Sequence, residues 1–237
     1  MCNLNIYIVR VPSSLSSENF SDFINCIPSH RQEKIRKYIR QEDAIRSLFG
    51  QLLLQTVIQK ERHILKDDLI FGRNKYGKPY IYNLEDYHFN ISHSGEYVIC
   101  VTHNQPVGID IEYIKPVSLE IAKQYFSKEE YNLIISQPKD SQNSLFYDFW
   151  TLKESFIKAV GKGLYIPLNS FAFSISEDKE FILKVNPYPE NFFFKQYEIN
   201  PQYKLSVCSK TFCFPQKVNE INYTNLIPNS IYGNIKS

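Results

Sequence analysis

The sequence predicts an α+β protein in two halves of similar size, each with strands and at least one long helix. Three observations carry this. Two long helical periodicities, at about 42–59 and 145–161, each stand beside runs of strand-like sequence. The aromatic content is nearly all Tyr and Phe, 17 of each beside one Trp, which suits sheet-rich cores. A tight Asn104–Gln105–Pro106 connection lies near the middle of the 237 residues. No exact internal repeat relates the halves.

Taken in order, NLNIYIVRV (3–11) reads as an opening strand, and 16–26 as a short helix capped by Ser16 or Ser17. Pro28 is suited to begin the next helix. Ile35, Tyr38, Ile39, Ile45, Leu48, Phe49 and Leu52 then recur at threes and fours, with a break near Arg40–Gln41. FGRNKYGKPY (71–80) is turn-rich: Gly77 is free to take φ > 0, and Pro79 forces an extended Lys78. Strands follow at 87–92, 96–103 and 107–114, the first two joined by a Ser94–Gly95 turn. A short helix spans 119–125, and Ser127 with Glu130 forms a capping box for the next, which runs to about Ser136. PKDSQNS (138–144) reads as a polar loop, and the helix at 145–161 stops at Gly161 and Gly163. Four strands are expected beyond Pro167, and the Asn- and Pro-rich stretch 215–237 is expected to be less ordered.

Composition excludes several functions. Lys plus Arg is 27 and Asp plus Glu 25, a formal charge of +2, and few aromatics alternate with basic residues, so no nucleic-acid partner is expected. No stretch approaches the ~18 apolar residues of a membrane span, and the N-terminus lacks the pattern of a signal peptide. The five cysteines, Cys2, Cys26, Cys100, Cys208 and Cys213, show no CxxC spacing and read as reduced thiols of a cytoplasmic protein. The five histidines are dispersed, so no zinc site is expected.

VGIDIEYI (107–114) places Asp110 and Glu112 on one face of a strand, with Ile109 and Ile111 turned the other way into a core. Neighbouring carboxylates repel unless a positive charge lies between them. A divalent cation with hard oxygen ligands, Mg²⁺ or Mn²⁺, satisfies both; a solvated strand face is the plain alternative. On the long helix, Trp150, Glu154, Ile157, Lys158 and Gly161 form one stripe. Glu154 reads there as a third oxygen ligand, with Lys153 and Lys158 as phosphate counter-charges, or as one half of an ordinary i,i+4 pair. Within HFNISHSG (88–95), Ser92 and His93 are suited to a phosphate, Gly95 permitting the turn, although a turn histidine needs no ligand. Arg31, Lys34, Arg36, Lys37, Arg40 and Arg46 cluster in sequence; helix solvation explains most of them, and a nucleotide phosphate needs only two or three.

GKPY (77–80), HFNISHSG (88–95), VGIDIE (107–112) and WTLKESFIKAVGKG (150–163), in this order, resemble the 4'-phosphopantetheinyl transferases, and more closely the larger two-lobed type that activates peptide and polyketide synthetases. The resemblance covers about residues 1–210 and extends into VSLEIAKQYFSKEEY (117–131). It implies a monomeric pseudo-dimer with the coenzyme cleft between two lobes. Residues 1–105 would carry the contacts to the 3'-phosphate and adenine of coenzyme A, and 106–237 the metal, the diphosphate and the carrier-facing surface. The implied activity moves 4'-phosphopantetheine from coenzyme A to a serine of an apo peptidyl or acyl carrier-protein domain, one of a nonribosomal peptide synthetase by family type, leaving 3',5'-ADP. By this resemblance Asp110, Glu112 and Glu154 bind Mg²⁺, and Glu154 is also the base, direct or through water. Lys158 meets the diphosphate with Lys153 in support. Ser92 and His93 lie at the 3'-phosphate with Lys34, Arg46 and Arg31, while Lys78 and Pro79 flank the adenine. Ile114, Val117, Leu119 and Phe126 would face the acceptor. A metal-dependent phosphohydrolase or nuclease, and a non-catalytic module binding coenzyme A or a carrier, are the alternatives; each explains fewer of these motifs together.

Overall fold

The computed structural model describes residues 3–226. The first half runs β1 (Asn5–Arg10), α1 (Ser17–Asn25), α2 (Ser29–Arg36), α3 (Gln41–Arg62), β2 (Phe71–Arg73), β3 (Pro79–Ile81), β4 (His88–Ser94) and β5 (Tyr97–His103). The second runs β6 (Val107–Tyr113), α4 (Glu120–Tyr125), α5 (Lys128–Ile135), α6 (Lys139–Val160), β7 (Ala172–Ile175), β8 (Phe181–Val185), β9 (Phe193–Gln196), β10 (Tyr203–Ser209) and β11 (Asn219–Ile221). Ser16 caps α1, and Ser127 and Glu130 complete the capping box of α5 with both hydrogen bonds in place. Acidic Glu42 and Asp43 open α3 and basic Lys60 and Arg62 close it, as its dipole favours.

Strand alternation builds the layers. β11-β1-β5-β4 form one sheet and β6-β10-β9 another. Tyr7 and Val9 of β1 turn toward Leu48, Phe49 and Leu52 of α3. Ile6 and Ile8 turn the other way and meet Ile109 and Ile111 of β6 with Leu205 and Val207 of β10. The far face of the second sheet lies under α6, where Phe156 and Ala159 share a core with Cys208. The order is therefore helix, sheet, sheet, helix: an α+β fold of two similar lobes, each a sheet backed by a helix of 22 residues. A cavity of about 210 Å³ opens between them, lined by Lys78, Pro79 and His88 on one side and Pro106, Ala159 and Val160 on the other.

Several expectations change. The turn-rich segment 71–80 lies within a hairpin, Phe71 opposite Ile81, with Gly77 at φ +91° in the bend. The polar loop at 138–144 is the start of α6: Pro138 stands at the N-cap and Asp140 in the first turn, while Gln142 donates to the carbonyls of Ile135 and Gln137. The stretch from 215 is ordered as far as 226: β11 pairs parallel to β1, and Leu226 is buried in the core of the first lobe. Residues 227–237 lie outside the described residues. Cys100 and Cys208 are buried free thiols, but Cys213 is disulfide-bonded, which corrects the reading of five reduced cysteines.

Candidate active site

The site begins with a glycine. A Cβ on Gly108 would overlap the Ser155 carbonyl oxygen and the Ala159 nitrogen, so β6 and α6 touch backbone to backbone there. Two residues along β6, on the same face, Asp110 lies against the helix. Its Oδ1 accepts from Lys158 Nζ at 2.5 Å and from Ser92 Oγ at 2.9 Å. Its Oδ2 is the buried side-chain polar atom left without a hydrogen-bond partner among the described residues. Glu112 Oε2 accepts from Ser94 Oγ at 2.8 Å. Glu154 stands one helical turn before Lys158, on the same side of α6.

The three acids share one field. Burial pushes the Asp110 carboxyl up, opposed by the Lys158 ammonium and the Ser92 hydroxyl. Burial, then the charge of Asp110, raises Glu112. Burial first and Asp110 second raise Glu154 to about 7. Among the described residues no three His, Cys, Asp or Glu side chains stand together closely enough to hold a metal ion. The donor chemistry nevertheless fits Mg²⁺: Asp110 raises the cost of ionising Glu112 and Glu154, Glu112 adds to that of Glu154, and Asp110 has an orphaned, buried oxygen. In this arrangement Lys158 is the positive charge at Asp110.

The other expected residues separate into those near the cluster and those held elsewhere. Arg46 donates to Asp43 at 2.6 Å and to the Gly95 carbonyl at 3.0 Å, so it braces the turn after the exposed His93. Arg46 and Lys158 both act electrostatically on His93, which makes one basic region of the three. Arg31 lies over the Phe71 ring at 5.8 Å with Arg73 as its cationic neighbour, and Lys34 is exposed on α2. Pro79 opens β3 and lines the inter-lobe cavity.

Four further side chains have partners of their own in this structure. Lys153 is 0% exposed; its ammonium pairs with Glu130 at 2.9 Å and donates to the Leu168 and Phe171 carbonyls, so it does not reach the cluster. Successive helical residues diverge by about 100°, which turns Lys153 away from the face that Glu154 shares with Lys158. Ser92 is buried; its hydroxyl donates to Asp110 and accepts from Lys158 and the Ile111 amide. Lys78 directs its ammonium into the carbonyls of Val107, Lys158 and Ala159 and lines the inter-lobe cavity. Phe126 is buried and stacks on Phe146 at 5.3 Å, whereas Ile114, Val117 and Leu119 stay partly exposed.

Residues not singled out from the sequence brace the strands and helix around the site. Asn90 and Ser94 line up with Ser92 along β4, and Asn74 ties the β2–β3 hairpin to α6 through the Gly161 carbonyl at 2.8 Å. The polar residues at every second position in FNISHS were the available signal.

Residues 106–208 match the family model of the 4'-phosphopantetheinyl transferase superfamily, and 14–105 match that of the N-terminal part of 4'-phosphopantetheinyl transferase. The 4'-phosphopantetheinyl transferase Sfp of Bacillus subtilis (strain 168) is 42% identical over 224 residues, covering 94% of this chain and 100% of that protein. The 4'-phosphopantetheinyl transferase ffp of Bacillus subtilis is 40% identical over the same shares, and gsp of Aneurinibacillus migulanus 38% identical over 87% of this chain and 86% of its own. A solved holo-(acyl-carrier-protein) synthase of Bacillus anthracis, in complex with CoA, overlaps 44% of this chain and 92% of that one at 14% identity and a TM-score of 0.37. Two family models that meet between residues 105 and 106, and relatives alike along nearly the whole chain, place it in the 4'-phosphopantetheinyl transferase family.

Proposed function

We propose that the chain transfers the 4'-phosphopantetheine group of coenzyme A to a serine hydroxyl of an apo carrier-protein domain, of the peptidyl type used in nonribosomal peptide synthesis, releasing 3',5'-ADP. The supporting observation is the acid–lysine cluster of β6 and α6, in which Lys158 pairs with Asp110 and the charges of Asp110 and Glu112 act on Glu154. In this reading residues 1–105 form the lobe that holds the nucleotide end, with Arg46 and His93 toward the 3'-phosphate and Pro79 beside the adenine. Residues 106–237 carry the diphosphate site and the acceptor-facing side chains Ile114, Val117 and Leu119.

Asp110, Glu112 and Glu154 are the residues that would hold Mg²⁺, which when bound neutralises charge on the diphosphate and on the departing phosphate. Lys158 adds a mobile positive charge at the same oxygens. Glu154 accepts no hydrogen bond from the described residues, so its carboxylate is free to take the proton of the attacking serine. A new oxygen–phosphorus bond forms at the β-phosphorus as the phosphoanhydride bond breaks in line, and 3',5'-ADP leaves. One chain supplies both lobes, so the active species is a monomer. No helix among the described residues is long and apolar enough to cross a membrane.

The test is to incubate the protein with coenzyme A, Mg²⁺ and an apo peptidyl carrier and to weigh the carrier. A gain of one phosphopantetheine with release of 3',5'-ADP supports the reading; an unchanged carrier overturns it. Asp110→Ala and Glu154→Ala are expected to abolish loading, and normal loading by either removes its assigned role.

A further inference from the structure

β4 and β6 are edge strands of different sheets, and no backbone ladder joins them. Side chains take its place. Asn90 Oδ1 accepts from the Ile109 amide at 2.9 Å, Ser92 Oγ from Ile111 at 3.3 Å, and Ser94 Oγ from Tyr113 at 3.0 Å. Each rung links residues 19 apart, so the register is constant and parallel. The two serines do something further. Each donates its hydroxyl to the carboxylate one position earlier on β6: Ser92 to Asp110 Oδ1 at 2.9 Å, Ser94 to Glu112 Oε2 at 2.8 Å. Asn90 has no such task, because the position that would match is Gly108, where α6 presses on the strand.

A hydroxyl has one proton to donate and two lone pairs to accept with. In Ser94 the amide of Tyr113 fixes the oxygen, which aims the single proton at Glu112. A carboxylate bonded through one oxygen has a fixed rotamer, and its other oxygen is presented in a fixed direction. We propose that Ser94 is a positioning residue for Glu112: it sets the direction in which that carboxylate offers its free oxygen, and so sets the affinity of the acid cluster for a divalent cation. This rests on the reading of Asp110, Glu112 and Glu154 as cation ligands.

Mn²⁺ serves as the probe, titrated by the electron paramagnetic resonance of the free aquo ion with coenzyme A present and no carrier, so that nothing turns over. Ser94→Ala is expected to weaken Mn²⁺ binding on the order of tenfold. Ser94→Thr, which keeps the hydroxyl, restores wild-type affinity. Asn90→Ala breaks a rung of the same ladder without touching a carboxylate. It is expected to speed deuterium exchange at the Ile109 amide and to leave Mn²⁺ affinity unchanged. In the loading assay Ser94→Ala raises the Mg²⁺ concentration for half-maximal rate more than it lowers kcat. Should Ser94→Ala fail to fold, Ser94→Cys, of similar size and a weaker donor, is expected to give an intermediate affinity. Unchanged Mn²⁺ affinity in Ser94→Ala or Ser94→Cys, or an equal loss in Asn90→Ala, overturns the proposal while the cation reading stands. Failure of the wild-type protein to bind Mn²⁺ overturns both.

Discussion

Lys153 and Lys158 belong to one helix and have opposite environments. Lys153 lies in an apolar pocket, its ammonium 4.5 Å from the Phe171 ring centroid and paired with a Glu130 that is equally buried. Burial pushes that ammonium's pKa down, against the pull of Glu130. Removing one member of such a pair strands the other charge. Lys153→Met is therefore expected to lower the free energy of unfolding by about 3–5 kcal/mol, and Glu130→Gln combined with Lys153→Met to recover much of it, both read by urea denaturation. Folded Lys153→Met protein should still load a carrier at low temperature; a folded variant without activity would return Lys153 to the site. Lys158, a quarter exposed, pairs with the Asp110 carboxylate. Lys158→Met is expected to fold and to lose on the order of 10²–10³ in kcat for loading, the usual cost of one charge-stabilising donor. The helical stripe in the sequence puts Lys158 on the face of Glu154 and Lys153 off it, but nothing there marks Lys153 as buried with a charged partner. That follows from Glu130 on α5, a residue its own capping box already explains.

At the scale of elements, the end of α6 is held by a hairpin from the other lobe. Lys78 Nζ meets the Lys158 and Ala159 carbonyls, and Asn74 donates to Gly161, so β2–β3 caps a helix terminus that would otherwise offer bare acceptors. Burial lowers the Lys78 ammonium from 10.5 to about 8, opposed by the neighbouring Cys208. With the folded pKa below the unfolded one, the unfolded chain holds the extra proton between about pH 8 and 10.5, so this group's contribution to stability rises with pH across that window. Tyrosines raised by burial, such as Tyr7, titrate with the opposite sign, so the measurement is a difference. The stability of wild type minus that of Lys78→Met, followed by urea unfolding, is expected to increase from pH 8 to 10.5; a flat difference would mean the ammonium is not desolvated. Gly108→Ala tests the other fixed point of α6. The added methyl has backbone on its far side that cannot turn aside, and overpacking of this kind costs about 1–3 kcal/mol or more. Thermal melts should show the loss, and unchanged stability would mean that β6 and α6 do not touch there. The hairpin and the first turns of α6 were hidden in the sequence for one reason: Asn, Gly, Pro, Ser and Gln mark turns by composition, while hydrogen bonding decides between a turn, a short strand and a helix start.

For the whole molecule, alternation in β6 showed that this strand has two faces, and its acids were legible because they share one of them. What covers each face was not legible. The inner faces of the two sheets pack on each other through Ile6, Ile8, Ile109, Ile111 and Val207, a core that belongs to neither lobe alone. Ser94 was missed for the same reason, since its partners lie on the edge of the other sheet. The chain also returns from the second half to the first: β11 pairs with β1, and Leu226 fills the core beneath α3. A shared core, a ladder of side chains and a returning strand leave neither lobe able to unfold without exposing the apolar face of the other. One cooperative transition is therefore expected in scanning calorimetry, with the calorimetric and van't Hoff enthalpies in a ratio near 1. Leu226→Ala perturbs only the first lobe's core and is expected to cost about 2–5 kcal/mol. At this chain length that corresponds to roughly 5–15 °C in Tm. If the lobes are one unit, the whole transition shifts down as a single peak, and the aromatic near-ultraviolet signal of the second lobe, rich in Phe and Trp150, falls with it. A split into two peaks, the first lobe melting early while the Trp150 signal persists, would show two independent domains that merely touch.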